Sequence, residues 1–221
     1  MTDSRSRAAV AETPDVVVGN HEDKYAGSNP LIRWLTRRFL ADFDALVDAV
    51  ATEAPAHARV LEIGCGEGEI AHRLSQRFTE VVGLDLPDAE LRGHWQARAT
   101  TPGFSHGDAH RLPFADDTFD VAVAVEVCEH LAHARAGLAE LARVTSGHLI
   151  ASVPREPLFR AGNLATGRHV RALGNTPGHL NHWSARGFVS FVGGIGQVAA
   201  VRTPLPWTMA WVRLAPAAVT A

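Results

Sequence analysis

Apolar and polar positions along this chain switch repeatedly between two periods, and the switches predict its elements. After Asn29-Pro30, the residues Leu31, Trp34, Leu35, Phe39, Phe43 and Leu46 recur at helical spacing, which predicts a helix over about 31–52. A short apolar run at 58–63 predicts a strand, and a helix follows over about 68–77. Next come a strand at Glu80–Asp85, a helix opened by Pro87-Asp88, a short strand at 103–107 and a strand at Phe119–Val125. A helix over 132–144 leads to the strand His148–Val153. A helix over 184–192 and strands near 196–202 and 207–214 close the chain. Strands that alternate with helices read as an α/β fold with a parallel sheet.

Residues 154–182 break that rhythm. They hold three prolines and four glycines, with room for one or two short helices. A long irregular stretch in a compact domain is usually functional, and this one follows the C-terminal end of a strand, where open sheets bind ligands. It is expected to be a lid or acceptor-binding insertion.

Length and composition narrow the picture. A chain of 221 residues suits a flexible start over 1–15 and a single domain over 16–221. Cys65 and Cys128 lack any paired spacing, which points to a reducing compartment, and no apolar run reaches membrane-span length. A cytoplasmic protein is expected. The net charge is −3, but residues 151–221 contain seven arginines and a single acid, Glu156. An acidic chain whose one lysine is Lys24 argues against nucleic acid as a partner. Arg155, Arg160, Arg168 and Arg171 leave open an anionic group on a small acceptor.

The chemistry concentrates in Val60-Leu-Glu-Ile-Gly-Cys-Gly-Glu-Gly68, where a strand runs into three glycines at every second position and then a helix. Such a turn lets a ligand approach the backbone closely, and Asp85 at the tip of the next strand can take a ribose diol. The pyrophosphate fingerprint places its third glycine one residue later, where this chain has Glu69. The pattern resembles the first motif of class I S-adenosylmethionine-dependent methyltransferases, and the resemblance extends over residues 57–153.

That resemblance implies a Rossmann-like seven-stranded sheet with helices on both faces, and S-adenosylmethionine as cofactor. Gly64, Cys65, Gly66 and Gly68 would lie under its methionine part, with Glu62 ordering the loop. Asp85 would bond the ribose, with Leu86 beside the adenine. In Gly107-Asp108-Ala109, Asp108 would accept from the adenine amino group. Tyr25 would cap the methionine end from the N-terminal segment, with a packing role as the alternative. Leu112-Pro-Phe-Ala-Asp-Asp-Thr-Phe-Asp120 is similar to the small-molecule branch that includes ubiquinone and menaquinone biosynthesis.

Glu126-Val-Cys-Glu129-His130 follows the fourth strand. This spacing resembles the metal-holding motif of ubiquinone-biosynthesis O-methyltransferases and of small-RNA 3′-end 2′-O-methyltransferases. In the RNA group a later histidine completes the site, and His179 lies at a comparable offset. Glu126, Glu129, His130 and His179 would suit Mg, Mn, Fe or Zn, whose Lewis acidity lowers the pKa of an acceptor oxygen. Glu126 also stands at the cofactor edge. Without a metal, His130, His182 and His179 are the candidate general bases. Trp183 would line an acceptor pocket or staple the next helix to the sheet.

Methyl transfer to a small organic acceptor, most simply at a hydroxyl oxygen, is the expected activity. Two alternatives stay open: methylation of an RNA 3′ end, and a cofactor-binding protein that transfers nothing.

Overall fold

The computed structural model describes residues 29–97, 103–167 and 169–215. The start over 1–15, Tyr25 and Arg168 lie outside the described residues. Strands β1 (Arg59–Ile63), β2 (Glu80–Asp85), β3 (Gly103–His106), β4 (Phe119–Val125), β5 (Thr145–Pro154), β6 (Gly196–Arg202) and β7 (Trp207–Leu214) form one sheet. Its order is β3-β2-β1-β4-β5-β7-β6, and β7 runs antiparallel to both neighbours. The strand order reverses between β1 and β4, so a crevice opens at their C-terminal ends, where α/β sheets take ligands.

Helices α1 (Pro30–Glu53) and α2 (Glu69–Leu74) cover one face of the sheet. Helices α4 (Ala134–Val144) and α6 (Ala185–Val192) cover the other, while α3 (Ala89–Ala97) packs beside β3. Helix α1 starts where predicted because the Asn29 side chain accepts from Leu31 N at 2.9 Å and Pro30 fits the first turn. Phe39, Phe43, Leu46, Val47 and Val50 form its buried stripe. The central strands are buried on both faces, which explains why β4 reads as a continuous apolar run.

Most predicted boundaries hold, and β2, β4, β6 and β7 keep their limits. Two elements differ. The first crossover helix is shorter than 68–77, because Gly68 adopts a left-handed conformation (φ 86°) and α2 ends at Leu74. Strand β5 begins at Thr145 rather than His148, directly where α4 stops. Ser146-Gly147 reads as a turn in sequence, yet Gly147 is in the sheet, where a Cβ would press on the Asp120 carbonyl. The insertion contains α5 (Leu158–Ala165) and a 3-10 turn at Val170–Ala172, matching the one or two short helices expected.

Phe43 lies at the centre of the α1 stripe with no exposed surface. Phe43→Ala is expected to cost about 3–5 kcal/mol. Urea denaturation checks this as a lower midpoint at an unchanged slope.

Candidate active site

The loop after β1 is shaped by its glycines. Gly64, Gly66 and Gly68 all have positive φ (65°, 49° and 86°), a region that side chains with a Cβ rarely adopt. Gly64 and Gly66 differ in what surrounds them. A Cβ on Gly64 would collide with the Val127 side chain across the β1–β4 crevice, whereas one on Gly66 would meet nothing within 4 Å. Gly66 therefore borders open space, where a ligand can approach the backbone.

Asp85 holds this loop. Its Oδ2 accepts from Gly66 N and its Oδ1 from Leu86 N, both at 2.7 Å. A carboxylate has about four acceptor sites, so a ribose diol can still be bonded. Trp95, on α3, donates from Nε1 to Gly66 O at 2.8 Å and stacks on Phe104 with ring centroids 5.1 Å apart. Nothing in the residue pattern announces this brace: Trp95 sits 29 residues from its acceptor in a helix of weak amphipathicity.

Glu62 is buried beneath the loop. Burial raises its pKa well above the ordinary carboxylate value, and the Asp85 charge adds to the rise. The Ala71 backbone N–H opposes the shift, and Oε2 has no hydrogen-bond partner among the described residues. An orphaned buried acceptor and an open cradle at Gly66 fit a cationic, amino-bearing ligand such as S-adenosylmethionine. Asp108 Oδ1 accepts from His110 N and pairs with the His110 ring, each at 2.8 Å. Partial burial raises the Asp108 pKa, but these bonds and the His110 charge outweigh it and leave a net lowering. Burial first, then neighbouring acids, pushes the Cys128 thiol up to about 12 and Cys65 higher still. Neither thiol is a nucleophile at neutral pH.

The motif after β4 divides in two. Glu129 (1% exposed), His130 and His179 converge, with one ligand atom from each lying within 4.8 Å of the others. Glu126 turns elsewhere. Its backbone is left-handed (φ 57°), its Oε2 accepts from Trp207 Nε1 at 2.7 Å, and its Oε1 accepts from Ser152 Oγ at 3.2 Å. The structure thus gathers three of the four residues suggested as metal ligands and places Glu126 with β5 and β7. Trp207 and Ser152 escape sequence reasoning because they are distant in the chain and stand in ordinary strands.

The insertion closes over the cluster. Leu180 N and Asn181 N both donate to Glu129 O, at 2.7 and 3.0 Å, and Asn181 Nδ2 donates to Cys128 O and Leu131 O. His130 Nδ1 lies 2.9 Å from Gly178 O. Nδ1–H donating there leaves Nε2 with its lone pair. His179 stands between Phe159 (ring centroids 5.6 Å) and His130 (4.9 Å). His182 is exposed and pairs through Nε2 with Asn175 Oδ1 at 2.7 Å, outside this group. Trp183 packs on Phe191 (4.5 Å) and so staples α6, while also lining a cleft of about 510 Å³ with His133, Asn181 and Ser190.

This sheet order with an antiparallel β7, the alternating glycine loop and the acid at the tip of β2 define a class I S-adenosylmethionine-dependent methyltransferase fold. Residues 61–150 match the family described as "Methyltransferase domain". It is 34% identical over 103 residues to the ubiquinone biosynthesis O-methyltransferase of Ruegeria pomeroyi, covering 45% of this chain and 40% of that protein. It is 41% identical over 90 residues to the phthiotriol/phenolphthiotriol dimycocerosates methyltransferase 1 of Mycobacterium ulcerans, covering 39% and 33%. Each match thus spans well under half of the relative's length. Among solved structures, magnesium protoporphyrin IX methyltransferase from Synechocystis PCC 6803, with bound SAH, aligns with a TM-score of 0.64 at 18% identity, covering 86% of this chain and 89% of that one.

The first prediction separates the constraints in the loop. Gly64→Ala should lower thermal stability through the Val127 collision, whereas Gly66→Ala should fold and lose S-adenosylhomocysteine affinity by about tenfold or more, about 1.4 kcal/mol. Thermal melts beside calorimetric titration check both. Glu62 supplies the second. Its folded pKa lies above its unfolded one, so the folded state binds a proton that the unfolded state has released, and stability falls as pH rises above about 4.5. Glu62→Gln should remove that fall, read from denaturation midpoints measured between acid and neutral pH.

Proposed function

We propose that this protein transfers the methyl group of S-adenosylmethionine to a hydroxyl oxygen of a small organic acceptor, beside a divalent ion held by Glu129, His130 and His179. The observation that carries this reading is the convergence of one buried carboxylate and two imidazoles at the C-terminal end of β4. The donor set fits an ion: His130 is oriented by Gly178 O, as backbone carbonyls behind a ligating histidine fix its ring and tautomer. Two nitrogens and one oxygen suit zinc, iron or manganese better than the oxygen shell of magnesium. An ion held there supplies Lewis acidity that lowers the pKa of an acceptor hydroxyl.

The remaining roles belong to the chain. Gly64, Gly66 and Gly68 seat the methionine part of the cofactor, Asp85 holds the ribose, and Asp108 with Ala109 and Leu86 borders the adenine. In the reaction the acceptor oxygen loses its proton and forms a bond to the methyl carbon as the bond from carbon to sulfur breaks. S-adenosylhomocysteine leaves with a neutral sulfur. Positioning contributes much of the acceleration, because the oxygen must stand in line behind the methyl carbon. In a metal-free site His130 and His179 are the nearest bases, since His182 is engaged with Asn175. The acidic chain, with Lys24 as its one lysine, supports a small acceptor over an RNA end. Residues 154–182 then serve as the acceptor-side cover.

Metal analysis of tag-free protein tests the reading. Near-stoichiometric divalent metal is expected, lost in Glu129→Ala and His179→Ala and retained in Glu126→Ala, whose carboxylate is bonded to Trp207. Protein that binds S-adenosylhomocysteine but takes up no metal on titration would remove the ion from the reaction.

A further inference from the structure

Exposed large apolar side chains are unevenly spread over the described residues. They gather at the C-terminal edge of the parallel strands, the edge that holds the site. Helix α1 is oriented by two contacts: Phe39 meets Trp207 at the start of β7 (ring centroids 5.0 Å), and Glu53 bonds Arg213 at its end (2.6 Å). Since β7 starts opposite Pro154 at the end of β5, the first turns of α1 project beyond that edge. Phe39 to Leu31 is eight residues, an overhang of about 12 Å. It presents Leu31 (59% exposed), Ile32 and Trp34 (46%). The insertion adds Val170, Leu173 (69%) and Leu180, and the β6–β7 turn adds Leu205.

The charge on the α1 overhang has one sign, while exposed acids of the same edge, Glu90 and Asp108, lie beyond β2 and β3. Arg33, Arg37 and Arg38 are exposed on the overhang, no acid occurs from Asn29 to Ala41, and none of the three makes an ion pair among the described residues. Arg38 lies over the Trp34 ring at 5.4 Å. At the opposite edge the arginines are neutralised, Arg59 by Glu80, Arg143 by Asp116 and Arg213 by Glu53. A helix that pairs leucine, isoleucine and tryptophan with arginine is built for the headgroup level of a membrane, where rings and aliphatic chains enter and guanidinium groups meet phosphate.

We infer that the C-terminal edge of the sheet, led by the α1 overhang and the exposed leucines of the insertion, docks on the surface of an anionic lipid bilayer. No helix among the described residues is long and apolar enough to cross a membrane, so the contact is peripheral. Charge complementarity selects this occupant: a second copy would bring the same unpaired arginines together. Docking directs the mouth of the site at lipid, which suits an acceptor with an apolar tail. The inference stands apart from methyl transfer, since it is read as binding alone.

The test is co-sedimentation of the full chain with phosphatidylcholine vesicles, with and without phosphatidylglycerol, at low and raised salt. Binding is expected to the anionic vesicles and to weaken as salt increases. Arg33→Gln with Arg37→Gln should lower the partition coefficient on the order of 10-fold or more. Leu31→Ser with Trp34→Ser should also lower it, and S-adenosylhomocysteine titration of each variant confirms that it is folded. No sedimentation with either vesicle, or binding that none of these variants changes, would overturn the inference. So would concentration-dependent dimerisation abolished by Leu31→Ser with Trp34→Ser, which would make the rim a contact between copies.

Discussion

The Asp85 carboxylate is the point on which the site depends. It ends β2, yet its two oxygens bond the backbone of two loops, Gly66 after β1 and Leu86 after β2. The glycine loop has little else to hold it: each glycine visits a left-handed conformation that any other residue resists, and glycine loses the most entropy on ordering. Charge-assisted bonds to backbone N–H groups offset that cost. The Trp95 brace on Gly66 O adds a second anchor from α3. A loop fixed from two sides is pre-organised, and the acid that shapes it also retains acceptor capacity of its own. The same carboxylate acts on Glu62, because its charge helps to keep that buried neighbour protonated.

The fold was largely legible in the sequence because its central strands are buried on both faces, its edge strands are short, half-buried runs and its helices are buried on one face. Periodicity reports burial, so β2, β4, β6 and β7 and the span of α1 could be read directly. The misreadings fall where local residue types and tertiary context disagree. Ser146-Gly147 looks like a turn but lies within β5 as an irregularity between the pairs Phe119–Thr145 and Val121–His148, where Gly147 lets the chain pass the Asp120 carbonyl. Gly68 looks like part of a helix but is its left-handed entrance.

The site was legible to a different depth at each shell. Gly64, Gly66, Gly68, Glu62 and Asp85 stand close in sequence and carry their constraint in their own residue types. The supports do not. Trp95, Ser152 and Trp207 act across 29, 26 and 81 residues, through bonds that no periodicity encodes. The Glu-x-x-Glu-His spacing could suggest a single ligand set, but it could not show that the chain turns sharply at Glu126, just past the end of β4, and so parts the two carboxylates. Glu126 leaves the strand with a positive φ and bonds its neighbours in the sheet, while the 3-10 turn at Cys128–His130 carries Glu129 and His130 toward the insertion.

That division has a physical consequence for the insertion. One 3-10 turn supplies two members of the cluster, and its carbonyls also accept the backbone and side-chain bonds of Leu180 and Asn181. His179 enters the cluster only while those bonds are made, because it is the residue next to Leu180. His130 is oriented only while Gly178 O is in reach. The geometry of the cluster and the closure of residues 178–181 are therefore one state and not two. Whatever binds Glu129, His130 and His179 together also favours the closed insertion, by an amount set by its differential affinity for the two arrangements.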